Sequence, residues 1–126
     1  MNKKKNIMVD MTCSILHHGH VRLLKKASNL GNVIVALTDD KEIIKKKKFN
    51  PPLKFKERKE ILESIKYVKK VVKSKFYITE KFLRFHKIHF LVHGADNKNS
   101  VNRKYLKIFK KTRNISSTLL RSKIKN

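Results

Sequence analysis

The chain has 126 residues, 40% of them hydrophobic and 33% charged, which suits one soluble globular domain spanning 1–126 with its own core. No window approaches a membrane span, the start MNKKKNIMVDM lacks an apolar stretch of signal length, and the lone Cys13 cannot form an internal disulfide; a reducing cytoplasm is the expected location. A net charge of +24 invites a nucleic-acid reading, but the 33 basic residues include only six arginines and are spread along the whole chain, so nucleic acid is not expected as the main ligand.

The pattern alternates strand and helix. NIMVDM (6–11) is an apolar run of strand length, and GHVRLLKKASNLG (19–31) follows with Val21, Leu24, Ala27 and Leu30 at helical spacing and Gly31 placed as a C-terminal cap. VIVAL (33–37) is a continuous run fit for a strand buried on both faces. Next come the lysine run Lys45–Lys48, without interleaved aromatics, and a loop marked by Pro51 and Pro52. KERKEILESIKYV (56–68) reads as helix, KVVK (70–73) as a short strand, ITEKFLRFHK (78–87) as helix and IHFLVHG (88–94) as strand. YLKIFK (105–110) is a last strand and SSTLLRSKIKN (116–126) a terminal helix.

Repeated strand–helix–strand units imply an α/β fold: a Rossmann-like three-layer α/β/α sandwich with a parallel sheet of about five strands, whose order is taken as 3-2-1-4-5. Ligands of such sheets bind beyond the carboxyl ends of the strands where the order reverses, here between the first and fourth strands. HHGH follows the first and HGAD the fourth, so two local oddities land together.

Gly19 lies where strand turns into helix and permits close approach of backbone to a ligand. A helix N-terminus there offers unpaired N–H groups and a positive dipole to an anion, with His17 and His20 as flanking donors. That suits phosphoryl or nucleotidyl transfer, in which negative charge grows on phosphate oxygens. A metal site fits less well: adjacent His17 and His18 do not easily face one ion, and no Cys or acidic cluster completes a tetrahedral set. Histidines with only a packing or surface role are the plainer alternative. Cys13 lacks the base that a nucleophile needs and reads as a small buried residue.

MTCSILHHGHVRLLKKASNLGNVIVALTDD resembles the opening of the cytidylyltransferase-like nucleotidyltransferases, marked by HxGH after the first strand. KERKEILESIKYV is similar to the family's ExRxxxL helix, LVHGAD to its fourth-strand turn, and KTRNISSTLLRSKI to its RTxGISTTxI signature. Length and the ISST segment bring the chain nearest the glycerol-3-phosphate cytidylyltransferase branch. The resemblance implies that His17 and His20 hold triphosphate oxygens and stabilise the transition state, with Lys46 and Lys111 as further catalytic cations. Thr12 and Cys13 would lend backbone contacts to the nucleotide, joined by Gly19, Gly94 and Asp96. Ser116, Ser117 and Thr118 would sit at a helix N-terminus over the phosphates, although a Ser-Ser-Thr start is as readily only a cap. Ser14, Lys48 and Arg58 fall to substrate binding.

The sequence also departs from the family pattern. Ser14 stands where Asp is usual, Lys111 replaces the signature arginine and loses its bidentate fork, and Asn114 replaces a glycine. Ala95 replaces an acidic residue, and Lys69 stands within a usually acidic YVDEV. The expected activity is transfer of CMP from CTP to a small phosphorylated alcohol, releasing pyrophosphate, with Mg²⁺ carried mainly by the nucleotide. An ATP-using enzyme of the same fold, or a nucleotide-binding homologue with little turnover, is the alternative. A homodimer is expected by resemblance.

Overall fold

The computed structural model describes residues 4–13, 15–94, 101 and 103–109. Strand β1 (Asn6–Met11) leads into helix α1 (His18–Ser28), strand β2 (Asn32–Thr38), helix α2 (Asp40–Lys47) and helix α3 (Phe55–Glu63). Strand β3 (Val68–Ser74), helix α4 (Glu80–Phe85), strand β4 (Phe90–Gly94), a 3₁₀ turn (Arg103–Tyr105) and strand β5 (Leu106–Phe109) follow. The five strands form one sheet in the order β3-β2-β1-β4-β5, with parallel pairing throughout.

The period of two in each strand sorts its side chains onto two faces. Ile7, Val9 and Met11 of β1 join Val33, Val35 and Leu37 of β2 on one face, where Leu24 and Ala27 of α1 and Leu62 of α3 cover them. Met8, Ile34, Ala36 and Leu91 face the opposite side, under Ile78, Leu83 of α4 and Ile88. Because β2 is apolar on both faces it reads as a continuous run. At about 1.5–3 kcal/mol for each large apolar side chain removed from water, these two clusters are the main source of stability. Connections that step from β1 to β2 to β3 place α1 and α3 on one face, and the long return to β4 places α4 on the other. That is the pattern imposed by a single crossover hand.

Several boundaries differ from the sequence reading. Helix α1 ends at Asn29, which caps it in right-handed geometry, and Gly31 has no positive φ. Gly31 serves close packing instead, since a Cβ there would lie 2.1 Å from the Lys5 carbonyl oxygen. Helix α3 stops at Ser64, whose hydroxyl donates to the Ile61 carbonyl at 2.6 Å, so residues 65–67 turn into β3. Helix α4 is six residues long, opened by the Thr79 hydroxyl accepting from Phe82 N–H and followed by left-handed Lys87. Strand β3 is longer than KVVK at both ends. Helix α2, absent from the sequence reading, covers most of the lysine run. The terminal helix expected at 116–126 lies outside the described residues.

Candidate active site

The sheet order reverses beside β1, which pairs with β2 on one side and β4 on the other. The chain leaves β1 through Thr12 and Cys13 and enters α1 at His17, its N-cap. His17 Nδ1 accepts from Gly19 N–H at 3.0 Å, and His20 Nδ1 accepts from His17 N–H at 3.1 Å. The two rings lie 4.0 Å apart between centroids, tilted by 37°. A ring nitrogen that accepts carries no proton, so these bonds make both histidines Nε2–H tautomers. Burial lowers the pKa of His17, and the neighbouring His18 lowers it further. Burial lowers that of His20 to about 4, with a smaller push from His17. At neutral pH the pair is therefore uncharged, with one N–H donor left on each ring.

Helix α1 carries no acidic residue in its first turn, so the positive end of its dipole is not neutralised locally. Two neutral, locally locked donors at such an end suit an anion whose charge increases during reaction. His18 is exposed, with its ring centroid 6.2 Å from that of His17. Gly19 lies in the first turn of α1 with ordinary helical backbone, so its place follows from the turn and not from an unusual φ.

Cys13 is buried, and it adopts φ 51°. Desolvation pushes its thiol up to about 12 against a smaller opposing pull from Arg58, so it stays protonated and is no nucleophile. Thr12 turns its carbonyl toward the interior, where Arg58 Nη1 donates to it at 2.7 Å.

Arg58 corrects the sequence reading. It was expected to bind substrate, yet it is only 1% exposed and spends its donors on the protein itself. Besides Thr12 it donates from Nη1 to the Thr38 carbonyl at 2.9 Å, from Nε to the Leu53 carbonyl at 3.0 Å, and from Nη2 to Asp40 Oδ1 at 2.6 Å. Asp40 is the residue that sequence reasoning missed. It sits in LTDD, and only its meeting with an arginine 18 positions away distinguishes it from an ordinary helix-start carboxylate.

Lys46 lies in α2 with its ammonium 5.4 Å from the centre of the exposed Tyr77 ring. Lys48 ends α2 in left-handed geometry at φ 60°, its side chain exposed. Neither has a contact with the histidine pair among the described ion pairs and hydrogen bonds; their helix follows β2 and is tied to the end of β3, where Asp39 N–H donates to the Ser74 carbonyl at 2.9 Å and Phe76 N–H donates to Glu42 Oε1 at 3.0 Å. Gly94 closes β4 beside Phe109 of β5. Ser14, Asp96, Lys111, Ser116, Ser117 and Thr118 lie outside the described residues. Among the described residues no cluster of three or more His, Cys, Asp or Glu is placed to hold a metal ion, and no helix is long and apolar enough to cross a membrane.

The profile of the cytidylyltransferase-like family matches residues 12–123. Glycerol-3-phosphate cytidylyltransferase of Bacillus subtilis is 34% identical over 94 residues, covering 73% of this chain and 72% of that protein. FAD synthase of Pyrococcus abyssi is 36% identical over 72 residues, 56% of this chain; the match spans about half, 49%, of that enzyme's length. Ethanolamine-phosphate cytidylyltransferase of Arabidopsis thaliana is 31% identical over 105 residues, 76% of this chain and 24% of that protein. A lipopolysaccharide core biosynthesis protein of Thermoplasma volcanium shares the fold, with a TM-score of 0.69 and 19% identity over 86% of this chain and 96% of that one.

Proposed function

This chain belongs to the cytidylyltransferase-like nucleotidyltransferase family, and from that premise we propose that it transfers CMP from CTP to a small phosphorylated alcohol of the glycerol-3-phosphate kind. The observation that carries the reading is the pair of Nε2–H donors held by His17 and His20 at the start of α1, beside the β1/β4 reversal. An acceptor phosphate oxygen attacks the α-phosphorus of the nucleotide in line; the new P–O bond forms as the bond to the β-phosphate oxygen breaks, and pyrophosphate leaves. The histidine donors stabilise charge on the nonbridging and leaving oxygens, and the α1 dipole adds to them. No covalent enzyme intermediate is needed, only positioning and neutralisation.

Mg²⁺ enters as part of the nucleotide substrate, neutralising phosphate charge while keeping several of its waters. Lys46, Lys48 and Lys111 supply long-range cationic attraction to the same phosphates. The family resemblance assigns Thr12, Cys13, Gly19, Gly94 and Asp96 to the nucleotide, Ser116, Ser117 and Thr118 to its phosphates, and Ser14 to the acceptor. We place the protein in the cytoplasm and expect it to act as a homodimer.

A second reading has its own support: relatives described as FAD synthases are 36% identical over 72 residues of this chain, which keeps an adenylyl donor in view. Incubating the protein with each nucleoside triphosphate and a panel of phosphorylated alcohols, and measuring pyrophosphate, separates the two. CTP with a glycerol-phosphate-like acceptor is the expected pair. Turnover with ATP alone moves the assignment to the second reading. Tight duplex DNA binding with a steep salt slope and no saturable nucleotide site overturns both.

A further inference from the structure

We propose that Arg58 and Asp40 are a positioning pair for the transfer, setting the exit from β1 and through it the histidine-bearing start of α1; this rests on the reading of that start as the phosphate site. Arg58 is closed off from any substrate, at 1% exposure, and its four hydrogen bonds run to four separate segments. They reach the exits of β1 and β2 through the carbonyls of Thr12 and Thr38, the 53–54 turn through Leu53, and the first turn of α2 through Asp40. Asp40 reaches a fifth place, accepting from the backbone N–H of Phe55, the first residue of α3, at 3.0 and 3.1 Å.

The bond to Thr12 bears most directly on the chemistry. Its carbonyl oxygen belongs to the peptide plane that joins Thr12 to Cys13, and Cys13 adopts the left-handed φ of 51° that a side chain with a Cβ rarely takes. Anchoring that oxygen fixes the plane about which Cys13 turns, and hence the direction in which the chain sets out toward His17. The Thr38 hydroxyl reinforces the same exit by donating to the Met11 carbonyl at 3.3 Å. Asp40 carries the coupling outward, because it opens the helix that bears Lys46 and ends at Lys48. One guanidinium thus registers the donor end and the lysine-bearing helix against each other. A lysine lacks the planar fork that bridges two carbonyls with one nitrogen while offering others to Leu53 and Asp40.

The test compares the full-length parent with Arg58→Lys, Asp40→Asn and the double variant, by steady-state kinetics and by ¹⁵N spectra of the histidine rings. Positioning predicts a fall in kcat on the order of 10²-fold for either single variant, with acceptor KM changed by less than about threefold. It predicts that the double variant is no worse than the poorer single one, because the pair acts as a unit. The ring signals of His17 and His20 shift in both single variants. Asp40→Asn keeps an oxygen for Phe55 N–H, so it carries the test if Arg58→Lys does not fold. A raised acceptor KM with intact kcat in Arg58→Lys, beside a parent-like Asp40→Asn, overturns the proposal in favour of direct substrate binding. Folded variants with unchanged kcat and unchanged histidine spectra overturn it in favour of a purely structural pair. If the parent turns over no nucleotide, the proposed function fails by itself, and the histidine spectra still decide the positioning: shifted rings support it, unshifted rings overturn it.

Discussion

The start of α1 and the lysine-rich helix α2 both carry nitrogen donors that the proposed function assigns to phosphate, but they are built in opposite ways. At α1 two rings are locked by short local bonds to the backbone, partly desolvated and neutral. At α2 the side chains of Lys45, Lys46, Lys47 and Lys48 are exposed, and aromatic rings guide only some of them: Lys46 over Tyr77 at 5.4 Å and Lys47 over Phe76 at 5.9 Å. Locked donors lose little freedom when charge develops, so they can favour a transition state over a ground state. Exposed ammonium groups on four-carbon stems attract any phosphate and discriminate little between the two states. On the proposed function, the fixed donors serve catalysis and the exposed cations capture.

Removing what joins the two regions has the largest expected effect. Arg58→Met leaves the carbonyls of Thr12, Thr38 and Leu53 without their donor and Asp40 without its cation. Breaking a buried pair from one side costs about 3–5 kcal/mol, and Asp40, at 31% exposure, recovers some hydration, so a loss near the lower bound is expected in urea unfolding. A change below about 1 kcal/mol would mean that the two regions are held together by something else.

A pH series sharpens the comparison next. Because the folded protein holds the pKa of His20 at about 4, below the ordinary 6.5, the unfolded chain binds its proton first. The associated stability is fully present above about pH 6.5 and is lost as pH falls toward 4, by roughly 2–3 kcal/mol. His20→Gln, which keeps an acceptor for His17 N–H, should flatten that slope in urea midpoints measured from pH 7 to pH 4. An unchanged slope in His20→Gln would place the proton uptake elsewhere.

The smallest effect belongs to the mobile cations. Lys46→Gln and Lys48→Gln should each raise the nucleotide KM a few-fold, about 0.5–1 kcal/mol, with kcat nearly unchanged and the difference shrinking as salt is added. A large kcat loss in either variant would break the division between capture and catalysis.

These two regions were also unequally legible in the sequence. The β1–α1 corner could be read because strand, glycine and histidines lie close together in the chain, and the alternating pattern around them pointed to a parallel α/β sheet, in whose observed order β4 lies beside β1. Helix α2 could not, since its apolar residues are the adjacent Ile43 and Ile44, of which only Ile43 is buried, and two neighbouring positions leave no helical period to detect. Arg58 was legible as a charge in a helix motif but not as an interior group, because burial of a guanidinium depends on carbonyls from segments up to 46 positions away. The tautomers of His17 and His20 likewise follow from backbone N–H groups whose direction only the folded turn supplies.

The central claim, that two locked neutral donors at α1 stabilise charge in the transition state, is tested most directly by pyrophosphate release from His17→Ala, His20→Ala and His18→Ala under saturating nucleotide and acceptor. His17→Ala and His20→Ala should each lower kcat on the order of 10²–10³-fold with a smaller change in nucleotide affinity, while exposed His18→Ala stays within a few-fold of the parent. Equal and small losses from all three substitutions would contradict the account.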